Sequence, residues 1–168
     1  MARSDLEPLH FHDLVRARGR RRATVGRRRS HRGVWLPSES PRSLLSELEA
    51  LAGRTLETRE QVRDAARELI GRGVSVVAVS LGSGGAVIAD RDEAWFAPAL
   101  DVEVRSTVGA GDAMVAGLAA GLLMDAELER VFAMGVASAS AMCMTEGTDA
   151  LSRADYKRLL EAVRPERI

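Results

Sequence analysis

The sequence predicts an α/β fold, and three stretches carry that expectation. Val62, Ala65, Ala66, Leu69 and Ile70 recur at helical spacing, and a nearly continuous β-branched run over residues 74–79 follows directly after Gly71 and Gly73. That run ends in the glycine-rich turn Gly82-Ser83-Gly84-Gly85. Farther on, residues 105–117 break an extended run on Gly109 and Gly111 and turn into a helix of small residues. A continuous apolar strand is buried on both faces, and open α/β sheets collect ligands at the C-terminal ends of such strands.

Taken in order, residues 1–42 show no sustained apolar period. Arg16, Arg18, Arg20, Arg21, Arg22, Arg27, Arg28 and Arg29 interrupt every candidate element, so an irregular arm is expected up to residue 43. Trp35 and Leu36 are its first apolar pair, and Pro37-Ser38-Glu39-Ser40-Pro41 favours a turn. Residues 44–51 read as a short amphipathic helix stopped by Gly53. Thr58 with Gln61 three positions on forms a capping box for the next helix. The strand over 74–79 then leads through the glycine turn to a second strand over 86–89. Arg91-Asp92-Glu93 is a polar surface turn, and residues 94–97 and 102–104 read as short strands flanking Pro98. Apolar helices follow over 114–124 and over 127–144, the second ending near Gly147. Ser152 caps a terminal helix that runs through Leu160 and Val163 to Pro165.

Composition narrows the function classes. A chain of 168 residues, 46% hydrophobic and 4% aromatic, holds one domain with a real core. It has no apolar run of the roughly 18–20 residues that span a bilayer and no signal-peptide pattern at its start, so a cytoplasmic setting is expected. One cysteine, Cys143, excludes an intrachain disulfide and a cysteine-built metal site; within an apolar helix it reads as a buried small hydrophobe. His10, His12 and His31 lie in the arm without patterned partners, so no metal site is expected. Net charge is zero but uneven: residues 1–35 hold ten arginines against three acids, leaving the remainder about −7. Such an arm attracts acidic partners, yet it lacks interleaved aromatics and any nucleic-acid-binding pattern. The methionines of the apolar helices are expected as core gap-fillers.

The chemistry concentrates in Ser106-Thr107-Val108-Gly109-Ala110-Gly111-Asp112. Glycines there leave backbone amides unshielded, and the helix that starts beside them presents unpaired N–H groups and the positive end of its dipole. Asp112 falls in the first helical turn, which pairs a candidate base with a candidate anion seat. Read alone, the same residues also suit a plain strand-to-helix turn, and Gly82–Gly85 equally suits a plain hairpin turn.

The longer string Ser-Thr-Val-Gly-Ala-Gly-Asp-Ala-Met-Val-Ala-Gly, residues 106–117, resembles the C-terminal signature of the ribokinase-like sugar kinases, most closely their phosphofructokinase B branch. The resemblance covers about residues 44–168 and implies the C-terminal portion of a three-layer α/β/α fold. It implies transfer of the ATP γ-phosphoryl group to a sugar or sugar phosphate, with Mg²⁺. Gly109, Ala110 and Gly111 would form the anion hole and Asp112 would take the proton of the sugar hydroxyl. Ser80, Gly82 and Gly85 fall on a Ser/Thr-x-Gly-x-x-Gly loop that faces nucleotide phosphates in the family, and Ser106 and Thr107 would contact the nucleotide. Glu47 fits the Glu of a family Asn-x-x-Glu motif that organises phosphate and magnesium, although Leu44 stands where the Asn belongs. Ala137, Ser138 and Ala141 are expected to line a shallow adenine cleft.

The resemblance begins in mid-motif behind the arginine-rich arm, which reads as a start assigned in the wrong frame; translation of the upstream nucleotides in the other frames should restore the family pattern. Two domain segments are therefore expected, the arm over 1–43 and the nucleotide-binding part over 44–168. Kinase activity of the chain by itself is expected to be impaired. A non-catalytic nucleotide-binding remnant is the alternative, and a basic-arm nucleic-acid binder ranks after it. The expected partners are ATP and a small sugar phosphate, with a homo-oligomer compatible and no membrane.

Overall fold

The computed structural model describes residues 34–35, 44–146 and 149–168. Five strands form one sheet in sequence order: β1 (Val34–Trp35), β2 (Val76–Ser80), β3 (Ala86–Ala89), β4 (Ala94–Ala97) and β5 (Glu166–Arg167). β1 runs parallel to β2, and each later neighbour is antiparallel. The helices are α1 (Leu44–Ala52), α2 (Arg59–Gly71), α3 (Ala110–Leu123), α4 (Leu128–Cys143) and α5 (Arg153–Ala162), with a 3₁₀ turn over Gly82–Gly84.

Alternation along β2 explains the layering. Val76 and Ala78 join one buried cluster with Ile88, Met114, Phe132 and Leu159, whereas Val77 and Val79 join another with Leu48, Val62, Ala66 and Val87. Helices α3, α4 and α5 thus cover one face of the sheet, and α1 and α2 cover the other. This is the expected α/β/α arrangement, and the β-branched run predicted it because a strand between two helical layers has no polar face.

Local sequence explains most element ends. The Thr58 hydroxyl accepts from the Gln61 N–H at 3.2 Å, and the Gln61 side chain accepts from the Thr58 N–H, closing the capping box. Thr58→Ala is expected to lower unfolding free energy by about 1 kcal/mol, seen as a lower urea midpoint at unchanged slope. Gly53, at φ +68°, terminates α1 as expected. The Arg54–Glu68 ion pair at 2.6 Å then ties the loop to α2 and holds the Glu68 carboxyl below its ordinary pKa, through the arginine hydrogen bond. Both side chains are well exposed, so this pair contributes little stability. The turn after β3 is built by Asp90, whose Oδ1 accepts from the N–H groups of Asp92 and Glu93 at 2.8 and 2.9 Å.

Several expectations need correction. Val34–Trp35 forms a strand on β2, so the segment read as an irregular arm supplies part of the sheet; the histidines and the arginine run lie outside the described residues, as does Gly147. Val74 and Ser75 precede the ladder, which begins where β1 offers a partner to Val76. Residues 102–104 form no strand, because the following amides of Arg105 and Ser106 are taken by the carbonyl of Cys143 rather than by a sheet neighbour. β5 was not anticipated: its Glu-Arg pair carries no strand pattern, and pairing with Trp95 and Phe96 places it. Cys143 is half-buried at the end of α4, with its thiol pKa raised by desolvation, instead of lying in the core. Met114 and Met134 fill the core as expected, but Met124 is 72% exposed.

The glycines of α3 set how closely the helical layer packs. A side chain at Gly117 would meet the Met134 carbonyl oxygen at 2.5 Å, and one at Gly121 would meet Val131 Cα at 2.9 Å. Helices α3 and α4 therefore touch almost backbone to backbone.

Candidate active site

The register of the sheet puts the glycine loop at the end from which the chain leaves β4 and continues as a strap over residues 101–109. Ser80 closes β2 opposite Ala86, and Ala86 stands opposite Ala97, so the C-terminal ends of β2 and β4 flank the start of β3 at the same end of the sheet. From the first emerges the loop of Gly82 and Gly85; from the second the chain continues into the strap that ends at Gly109. Gly85 lies against Ala97, Pro98 and Ala99 at the start of this run, whereas Arg105 and Ser106 are held by the end of α4.

The strap is fastened at several points. The N–H groups of Arg105 and Ser106 both donate to the Cys143 carbonyl, at 2.8 and 3.2 Å. The Arg105 guanidinium lies 3.5 Å from the Glu146 carboxylate and 3.9 Å from that of Glu103. Ser106 Oγ accepts from the Val108 N–H at 3.2 Å, a short side-chain turn that bends the chain into Gly109. Gly109 then takes the left-handed conformation at φ +78° and caps α3 without a side chain.

Past that cap, the Ala110 N–H donates to Thr107 O at 3.3 Å and the Ala113 N–H to Gly109 O at 2.9 Å. The amides of Gly109, Gly111 and Asp112 donate to no group among the described residues. Gly111 lies inside α3 rather than in the turn, and the space where its side chain would stand is open. Its contribution is therefore clearance over the amides, not a backbone bend. Asp112 is exposed in the same first turn. Three donors at the positive end of a 14-residue helix, next to a solvent-facing carboxylate, can hold an oxyanion and serve a proton acceptor at the same spot.

The glycine loop is more constrained than its sequence implies. The Gly84 N–H donates to Leu81 O and the Gly85 N–H to Gly82 O, while the Leu81 N–H donates to Gly85 O at 2.8 Å. Gly85 sits at φ +99° with its Cα against the Ala97 carbonyl and the 98–99 backbone, so it has a structural reason of its own. Gly82, also at positive φ, faces open space.

Other expected residues are dispersed. Glu47 lies half-buried in the first turn of α1, on the face of the sheet opposite α3. Ala137 and Ala141 are turned into the core at 0% and 1% exposure and cannot line a surface cleft. Ser138 does reach a shallow groove of about 270 Å³ lined by Ala113, Ala116, Gly117, Ala120 and Tyr156, and its Oγ donates to Met134 O at 2.8 Å. Sequence reasoning missed Arg105 of the strap, which pairs with Glu146, and Met142 of α4, which packs against Gly109; contacts some thirty to forty residues apart leave no local pattern.

A three-layer sandwich that presents an amide-lined helix start and a first-turn aspartate at the ends of its strands is a ribokinase-like α/β domain. The profile of the pfkB family carbohydrate kinases matches residues 45–155, and the chain belongs to that family. It is 48% identical over 106 residues to a 1-phosphofructokinase of Haloferax volcanii, covering 61% of this chain and 34% of that one. It is 41% identical over 130 residues to the ATP-dependent 6-phosphofructokinase isozyme 2 of Mycobacterium tuberculosis, covering 77% and 37%. The crystal structure of Escherichia coli phosphofructokinase-2 in complex with substrates and products superposes with TM-score 0.66 at 36% identity, over 70% of this chain and 38% of that one. The chain thus spans about a third of the length of the curated relatives it matches.

Proposed function

We propose that this chain carries the phosphoryl-donor half of a cytoplasmic sugar-kinase site, acting on a phosphorylated ketohexose with Mg·ATP. The observation that carries the reading is the first turn of α3, where three uncommitted amides and the Asp112 carboxylate share one exposed surface. Relatives named for 1-phosphofructokinase and for 6-phosphofructokinase support the substrate class without choosing between its members.

In this reading the amides of Gly109, Gly111 and Asp112 hold the γ-phosphoryl oxygens as charge spreads over them in transfer. Asp112 orients the sugar hydroxyl and accepts its proton as the oxygen attacks phosphorus and the bond to the ADP oxygen breaks. The strap residues Ser106 and Thr107, with Ser80, Gly82 and Gly85, line the nucleotide side. Among the described residues no group of three or more acidic, histidine or cysteine side chains could hold a metal by itself. Mg²⁺ arriving on the phosphates would supply charge neutralisation there.

Residues 44–168 form the nucleotide-binding part of this assignment. Turnover by the 168 residues alone is expected to be low. Calorimetric titration with Mg·ATP, followed by ADP production with fructose 1-phosphate, fructose 6-phosphate and tagatose 6-phosphate, tests both parts. Saturable Mg·ATP binding with little sugar-dependent turnover is expected. Absence of nucleotide binding would refute the site, and robust turnover would refute the low activity.

A further inference from the structure

Gly109 has no side chain, and the space beneath it is occupied by Met142. From the position a Cβ would take at Gly109, Met142 Cε is 3.1 Å, Cγ 3.8 Å and Sδ 3.9 Å away. The side chain that supports the left-handed cap of α3 is therefore a thioether from the last turn of α4, and it is half-buried, not sealed in the core. Its sulfur is only partly engaged. Thr145 Oγ1 lies 3.7 Å from Sδ but 2.8 Å from the Met142 carbonyl, so the single hydroxyl proton is committed chiefly to the carbonyl.

We infer that Met142 is an oxidation-sensitive support of the amide seat, switched by hydrogen peroxide; the inference rests on the reading of residues 109–112 as an anion seat. The sulfur lone pair attacks one peroxide oxygen, the S–O bond forms as the O–O bond breaks, and the proton on the transferred oxygen passes to the leaving oxygen, released as water. Sulfur loses two electrons and the peroxide gains them. The product is a polar, larger sulfoxide where the cap requires a slim apolar neighbour. Its oxygen is a strong acceptor set against Gly109, whose amide lacks a partner among the described residues. Displacement of Gly109 and occupation of a seat amide both lower anion affinity.

The test treats the chain with hydrogen peroxide, maps sulfoxides by mass spectrometry and follows backbone amide NMR shifts of residues 109–112 together with Mg·ATP affinity. Met124, 72% exposed at the far end of α3, serves as an internal marker of oxidation remote from the seat. In wild type, Met142 oxidation should shift the amides of Gly109, Gly111 and Asp112 and weaken Mg·ATP binding about tenfold. In Met142→Leu, of similar volume and not oxidisable there, the same treatment should leave both unchanged. Seat shifts that persist in Met142→Leu would overturn the inference, as would full oxidation of Met124 with Met142 untouched. Oxidation-dependent shifts in a chain that never binds Mg·ATP would sustain the coupling while removing the proposed kinase reading.

Discussion

Replacing Asp112 by asparagine is expected to lower sugar-dependent ADP production by about 10²–10⁴-fold, the range that removal of a positioned general base commands. The side chain keeps its size and its place in the first turn of α3, so helix and cap should persist. Mg·ATP binding should be retained or slightly strengthened, because a negative charge is removed beside a seat for anions. The two measurements together separate the roles. Equal loss of turnover and nucleotide affinity would reduce Asp112 to a binding contact, and unchanged turnover would remove it from the chemistry. Because the chain's own turnover is expected to be low, the comparison is made at high protein concentration with the sugar-free rate subtracted.

Gly85→Ala is expected to cost about 3–5 kcal/mol, combining strain at a left-handed position with overpacking. At φ +99° and ψ −140° the backbone occupies a region essentially reserved for glycine. The new Cβ would fall inside the van der Waals shell of the Ala97 carbonyl oxygen and lie 2.9 Å from Pro98 Cα and 3.0 Å from Ala99 N. Ala97 is paired with Ala86 in the ladder, so its carbonyl cannot move without straining the pairing of β3 with β4. Ser83→Ala, exposed in the same turn, should change stability by less than about 0.5 kcal/mol. Urea unfolding of the pair, or loss of soluble protein for Gly85→Ala alone, checks the prediction; similar midpoints for the two variants would refute it.

Much of this architecture was legible because its determinants are local. The β-branched run announced a strand buried on both faces, the Thr58–Gln61 pair announced a helix start, and the string over 106–117 announced a glycine-capped helix with an aspartate in its first turn. What escaped depends on contacts distant in sequence. Residues 102–104 look like a strand, yet their neighbours' hydrogen bonds go to the end of a helix some forty residues later. Ala137 and Ala141 share a small-residue texture with Ser138, and only the rotation of α4 against α3 decides that the first two face the core and the third a groove. Gly85 and Gly82 carry the same letter, but the first is wedged against β4 and the second is open.

The fastening of the strap also has an electrostatic result. Carbonyls at the C-terminal end of a helix carry its partial negative charge, and here the end of α4 adjoins Gly109, the cap of the proposed anion seat. The Cys143 carbonyl accepts from two strap amides, the Met142 carbonyl from the Thr145 amide and hydroxyl, and the Ala141 carbonyl from the Met144 amide. Each acceptor that would repel an arriving phosphate is thereby screened by donors of the protein itself. Under the proposed function, an incoming triphosphate would meet the positive pole of α3 beside a muted negative pole of α4.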